Sequence, residues 1–192
     1  MRILPSVIAI GLLLHAPVWA SHGARPIDDA VSCPVAVRFS PHGGAEAAVT
    51  DTLRHARVRV RAAVYGLTSP SIERVLVDLA RTGVPVSLKT DRGRSATRDQ
   101  AAVLDRLKAA GVSVDSRSPR LIHDKFAVVD GRWIITGSFN WTTSAERRNH
   151  ENVLILDCPD LAARFETEWA RIALPLATDT SPGGGSGGRI DH

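Results

Sequence analysis

The chain has little of what would commit it to several common protein classes. Only two of its 192 residues are Cys, Cys33 and Cys158, and no metal-type spacing accompanies them. That argues against a cysteine-held metal module and against a catalytic role for either thiol. Lys is scarce, with Arg supplying nearly all of the 24 basic residues. The formal charge of +4 is modest for a nucleic-acid binder, although the pI near 9.7 leans that way. There is no internal repeat. Beyond the N-terminus no stretch is long and apolar enough to span a bilayer. What remains, 44% hydrophobic and 23% charged residues, is the composition of one soluble globular domain with a real core.

The one apolar run is Ser6 to Leu14, preceded by Arg2 and followed by Val18-Trp19-Ala20. It reads as a signal peptide over residues 1–20, cut after Ala20, and predicts a periplasmic or secreted protein with no stable membrane association after cleavage. The alternative, an uncleaved anchor, is disfavoured by Pro5, His15 and Pro17, which shorten the run. Residues 21–34 form a polar leader and residues 35–174 the domain. Residues 175–192, with Ser-Pro-Gly-Gly-Gly-Ser-Gly-Gly, form a flexible tail. In an oxidising compartment Cys33 and Cys158 are open to two states, a disulfide or two free thiols.

Between leader and tail, strand patterns alternate with helical ones. Strands are expected at 35–39, 57–65, 84–90, 112–114 and 152–156, and helices at 45–56, 69–83, 99–110 and 161–172. Ser69-Pro70 supplies an N-cap and a first-position proline, while Gly83 and Gly111 end helices. The fold class is α/β, a mixed β-sheet flanked by helices. Arg57, Arg59 and Arg61 read as a solvated strand face, and Trp141 as a core aromatic.

Two β-branched runs, Phe126 to Val129 and Arg132 to Thr136, are separated only by Asp130-Gly131. That dipeptide predicts a hairpin closed by a two-residue type I′ turn. In that register Val129 faces Arg132, Lys125 faces Thr136, His123 faces Ser138 and Leu121 faces Asn140. His123, Lys125, Ser138 and Asn140 then gather on one face at the hairpin's open end. Asp130, five residues from Lys125 and roughly 16 Å away, reads as a turn former.

His123-x-Lys125-x4-Asp130-x6-Gly137-Ser138-x-Asn140 is the complete HKD motif, and on it the chain resembles the phospholipase D superfamily over about residues 35 to 172. It looks most similar to that superfamily's small bacterial endonucleases, which carry one motif per chain and act as homodimers. The resemblance implies a metal-independent phosphodiesterase without a cofactor, most simply an endonuclease on DNA and perhaps RNA. The alternative is a phospholipase D or cardiolipin hydrolase acting on lipid. Such lipid enzymes usually carry two motifs in a longer chain, or an anchor and a Cys-rich insert. A third reading is a phosphate-binding module on an inactive scaffold, against which the intact motif argues.

For a phosphodiester, a covalent step divides one hard displacement into two. His123 is the candidate nucleophile, forming a phosphohistidine. Lys125 would hold a nonbridging phosphate oxygen, with Ser138 and Asn140 completing the cradle. Glu151 is the candidate acceptor for the other ring nitrogen of His123. The leaving alcohol needs an acid, and no second motif supplies one. A second subunit's His123 across a two-fold axis is the simplest source, with the active site at the interface. Arg92, Arg94, Arg98, Arg117, Arg120, Arg147 and Arg148 fall in loops that would flank the site and meet a nucleic-acid backbone.

Overall fold

The computed structural model describes residues 30–172; the predicted signal segment, most of the leader and the glycine-rich tail lie outside the described residues. The domain opens with β1 (Val35–Ser40), α1 (Ala45–Arg54), β2 (Val60–Val64) and α2 (Pro70–Arg81). Next come β3 (Val86–Lys89), α3 (Arg92–Ser95), α4 (Arg98–Ala109) and β4 (Ser113–Asp115). It closes with β5 (Lys125–Val129), β6 (Trp133–Gly137), α5 (Thr143–Arg147), β7 (Glu151–Asp157) and α6 (Pro159–Arg171). The strands form one mixed sheet in the order β1-β7-β6-β5-β2-β3-β4. β2, β3 and β4 run parallel, and β2 meets β5 antiparallel. This is the helix-flanked mixed sheet expected from the sequence.

Local chemistry explains the boundaries. Ser69 Oγ accepts from Ile72 N, Pro70 follows it, and Ile72, Val75, Leu76 and Leu79 bury one helical face. One face of the sheet carries the main core, with Val49, Leu53, Leu76, Leu107, Ala127 and Val129 in a single cluster. The other face carries a smaller cluster of Val128, Ile134, Cys158 and Ala162, against which Phe165 packs. Cys33 and Cys158 are joined in a disulfide, with Cα atoms 5.4 Å apart, tying the segment before β1 to the N-cap of α6. The C-terminal end of α6 is held by Lys89, whose Nζ donates to Trp169 O at 2.7 Å and also to Ile172 O. Burial pushes the Lys89 ammonium below its ordinary value, Asp115 acting the other way.

Four departures from the sequence expectation stand out. Two short helices, α3 and α5, lie in stretches too short for periodicity to register. β2 begins at Val60, because the backbone N–H groups of Arg57, Val58 and Arg59 all donate to the Asp130 carboxylate, at 2.9, 2.8 and 2.9 Å. Arg59 and Arg61 are not a simply solvated pair; both engage Glu166, at 2.8 and 3.3 Å.

The hairpin register is the fourth. Asp130 and Gly131 both take positive φ, 56° and 67°, and Arg132 N donates to Val129 O at 3.0 Å, so the tight turn forms as expected. Yet Val129 pairs with Trp133 and Phe126 with Thr136, one residue out of the expected register. Arg132 is the extra residue. Its carbonyl accepts from Cys158 N and its guanidinium grips Asp157, which draws it out of the β5–β6 ladder toward β7. The pairings Val129–Arg132 and Lys125–Thr136 are therefore corrected, and counting from the turn does not put His123 opposite Ser138 or Leu121 opposite Asn140. A second irregularity follows at the other end of β6. Ser138 N and Phe139 N both donate to Asn152 O, at 3.1 and 3.3 Å, as in a bulge. Gly137 sits there with φ 146°, where a Cβ would meet Asn152 O at 2.2 Å, so only glycine fits.

Burial pushes the Asp130 carboxyl up, but the three backbone donors outweigh it and hold the group below its ordinary value. A depressed folded-state value stabilises the protein above the unfolded value, about 3.9, and that stabilisation is lost as pH falls through the lower folded value. Asp130→Ala is expected to cost about 2 kcal/mol in urea unfolding at pH 7, with the gap to the parent narrowing toward pH 2. A gap that stays constant with pH would contradict this role.

Candidate active site

The C-terminal ends of β2, β3 and β6 and the N-terminal ends of β5 and β7 share one edge of the sheet. At its centre Lys125, the first residue of β5, pairs with Val64, the last of β2, and Tyr65 N donates to Asp124 O at 2.8 Å. This junction sets the approach of the segment carrying His123. Lys125 Nζ lies 3.1 Å from His123 Nδ1 and also donates to His123 O. The Tyr65 ring covers the pair, its centroid 5.0 Å from the imidazole's and 5.4 Å from Lys125 Nζ. His123 is exposed and Lys125 half-buried. Burial pushes the Lys125 ammonium below its ordinary value, while Asp124 and Glu151 act the other way.

Around this pair lie the neutral groups. Ser138 Oγ donates to Glu151 Oε2 at 2.5 Å and accepts from Asn152 N at 3.1 Å. Glu151 Oε1 accepts from Asn149 Nδ2 at 3.0 Å. The sequence reading gave Glu151 to His123; among the described residues its hydrogen-bond partners are Ser138 and Asn149, and the group on His123 Nδ1 is Lys125. Asn140 Oδ1 is buried without a hydrogen-bond partner and lies under Gly66, where an added Cβ would sit 3.4 Å from it. An orphaned buried acceptor at a site edge is a group held ready for a donor. Asp130 is at the far end of the hairpin, its carboxylate held by the entry to β2.

Sequence reasoning passed over Tyr65, whose being the chain's one tyrosine was a usable signal. It also missed Gln100, fully buried on α4. Gln100 Oε1 accepts from Leu67 N at 3.0 Å, and its Nε2 donates to Thr90 Oγ1 and Tyr65 O, at 2.9 and 3.3 Å. Gln100 therefore holds the loop that presents Tyr65 and Gly66. Beside the pair opens a cleft of about 450 Å³, lined by His123, Asp124, Lys125, Thr136, Phe165 and Glu168 among others. Burial raises the Asp124 carboxyl above its ordinary value, reinforced by Glu168. Of the arginines expected to flank the site, Arg92 and Arg94 lie on α3 beyond β3, and Arg147 ends α5 just before β7. Arg92 donates to Arg117 O, and Arg117 pairs with Asp115. Trp141 is 1% exposed, a core residue.

An imidazole and an ammonium in contact, ringed by hydroxyl and amide groups on an open sheet edge, make a site for handling a phosphoryl group. The chain belongs to the phospholipase D superfamily: residues 49–173 match the family described as cardiolipin synthase, PLD-like domain. It is 34% identical over 110 residues to a mitochondrial cardiolipin hydrolase of Chlamydomonas reinhardtii, covering 57% of this chain and 48% of that one. It is 31% identical over 136 residues to a phospholipase D of Rickettsia bellii, covering 70% of this chain and 67% of that one. The match thus spans about half the length of the first relative. Among solved structures, the phospholipase D family member Nuc from Salmonella typhimurium superposes with a TM-score of 0.71 at 31% identity, covering 73% of this chain and 94% of that one.

If Lys125 supplies the fixed positive charge, Lys125→Met should lower kcat by roughly 10²–10³ with the melting temperature little changed. A Met variant that keeps its kcat would remove Lys125 from that role.

Proposed function

We propose that the chain is a metal-independent endonuclease, cutting DNA and RNA through a phosphohistidine on His123. The supporting observation is the setting of the His123–Lys125 pair on an open edge with arginine-bearing α3 to one side and α5 to the other. A phosphate drawn to the Lys125 ammonium arrives beside the His123 imidazole, which in its neutral form carries one nitrogen with a lone pair free to attack. Attack breaks the ester bond to the leaving alcohol and forms a nitrogen–phosphorus bond; water then displaces the histidine. Lys125 holds a nonbridging oxygen, and Ser138 and Asn140 line the cradle beside it. Glu151 lies behind Ser138 and acts on Lys125 through its charge. The resemblance to single-motif endonucleases and the near-complete coverage of Nuc support this reading of the domain.

The leaving alcohol takes its proton from His123 of a second copy, so the working enzyme is a homodimer with the site at its two-fold interface. The signal-like N-terminus and the disulfide support a periplasmic or secreted location. Among the described residues no helix is long and apolar enough to cross a membrane. The second reading, a lipid phosphodiesterase, is favoured by Leu121, 68% exposed two residues before His123, and by the names of the relatives.

The test offers mature protein, with chelator, plasmid DNA, RNA, cardiolipin and phosphatidylcholine, alongside His123→Ala. Nucleic-acid cleavage by the parent alone, with a two-chain mass in light scattering, is the expected result. Lipid hydrolysis without nicking would replace the nuclease reading by the second, and an active monomer would overturn the paired-imidazole scheme.

A further inference from the structure

Among the described residues, the face of the sheet that carries the catalytic cleft is only partly covered. α6 crosses β2, β5 and β6, and beyond it Val35, Val37 and Phe39 of β1 stand 54%, 45% and 56% exposed. Residues directly opposite on paired strands share a face. Val37 lies opposite Leu154, and Leu154 opposite Thr136, which lines the cleft. One row nearer the catalytic edge, Phe39 lies opposite Asn152, whose N–H and side-chain amide both reach Ser138 Oγ. The floor of the cleft thus continues over two strands, roughly 10 Å at ordinary strand spacing, and ends at the catalytic edge in an aromatic ring.

We infer that Phe39 is a specificity-determining residue, the platform on which an unpaired base next to the scissile phosphate stacks. The inference rests on the endonuclease reading. Three observations favour a base over other occupants. The other three phenylalanines are at least half-buried, Phe126 and Phe139 at 3% and 1% exposure, whereas Phe39 offers its face to solvent. It is the exposed ring next to Asn152 and Ser138, where the substrate's phosphate is held. Cations stand at the same end of the sheet: α5, which packs against β1, ends in exposed Arg147 and is followed by exposed Arg148. Aromatic face plus backbone-tracking cations is how single strands are bound without sequence preference. A base inside a duplex is already stacked on both faces, so the platform favours single-stranded substrate.

The experiment measures kcat/KM on a single-stranded oligonucleotide and on the same sequence as a duplex, for the parent, Phe39→Ala, Phe39→Leu and Phe39→Trp. Single-strand preference should fall about tenfold in the Ala variant. Trp should restore it and Leu should not, since Leu keeps apolar area but lacks a π-face. Val35→Ser, at the remote end of the same stripe, should keep the parent's preference. An unchanged ratio in Phe39→Ala, equal rescue by Leu, or a change of oligomeric mass in Phe39→Ala would each overturn the stacking role while leaving the nuclease standing. A parent that cleaves neither oligonucleotide would take down both.

Discussion

The arrangement depends on one carboxylate far from the chemistry. Asp130 takes three consecutive backbone N–H groups at the entry to β2, and its own N–H donates to Arg59 O. That clamps the tip of the β5–β6 hairpin to the start of β2 and sets how the two strands slide against each other. Because side chains alternate with a period of two, a slip of one residue would turn Lys125 to the other face. The clamp at one end thus decides that, at the other, Lys125 meets Val64 and Asp124 O meets Tyr65 N. An acidic residue within the motif has a structural reason to be there even though it sits away from substrate.

From that junction the rest of the site follows in layers. Gln100, buried at the N-terminal end of α4, fixes the Tyr65–Leu67 loop with two hydrogen bonds, is itself anchored by a third to Thr90, and so holds the ring against His123. The bulge at Gly137 brings Ser138 to the edge, where Glu151 and Asn152 fix it. α6 closes the cleft and is pinned at both ends, by the disulfide at its N-cap and by Lys89 on its last carbonyls. The reacting pair itself stays open. Such a division, rigid supports under an accessible imidazole and ammonium, suits catalysis by positioning and charge.

Much of this could be read from residue patterns. Ser69-Pro70, Gly83 and Gly111 punctuate the helices, and the β-branched runs around Asp130-Gly131 announce the hairpin. His123, Lys125, Ser138 and Asn140 were picked out together by their spacing. The pairing between them was not legible, because Arg132 leaves the ladder for Asp157 and Cys158, partners more than 20 positions away in the chain. Glu151 was placed near the site, and strand order brings it beside Ser138, a contact that no count along the hairpin contains. Tyr65 and Gln100 were missed for the same reason, their roles arising where β2, β3 and α4 converge.

The central claim is that His123 carries the phosphoryl group between the two displacements. The most direct measurement is to quench the enzyme during turnover of a phosphorus-labelled diester and map the label by mass spectrometry under alkaline conditions. The account predicts an acid-labile, alkali-stable adduct on the peptide containing His123, absent from His123→Asn. Label on a serine, on another histidine, or on no residue while product accumulates would contradict it.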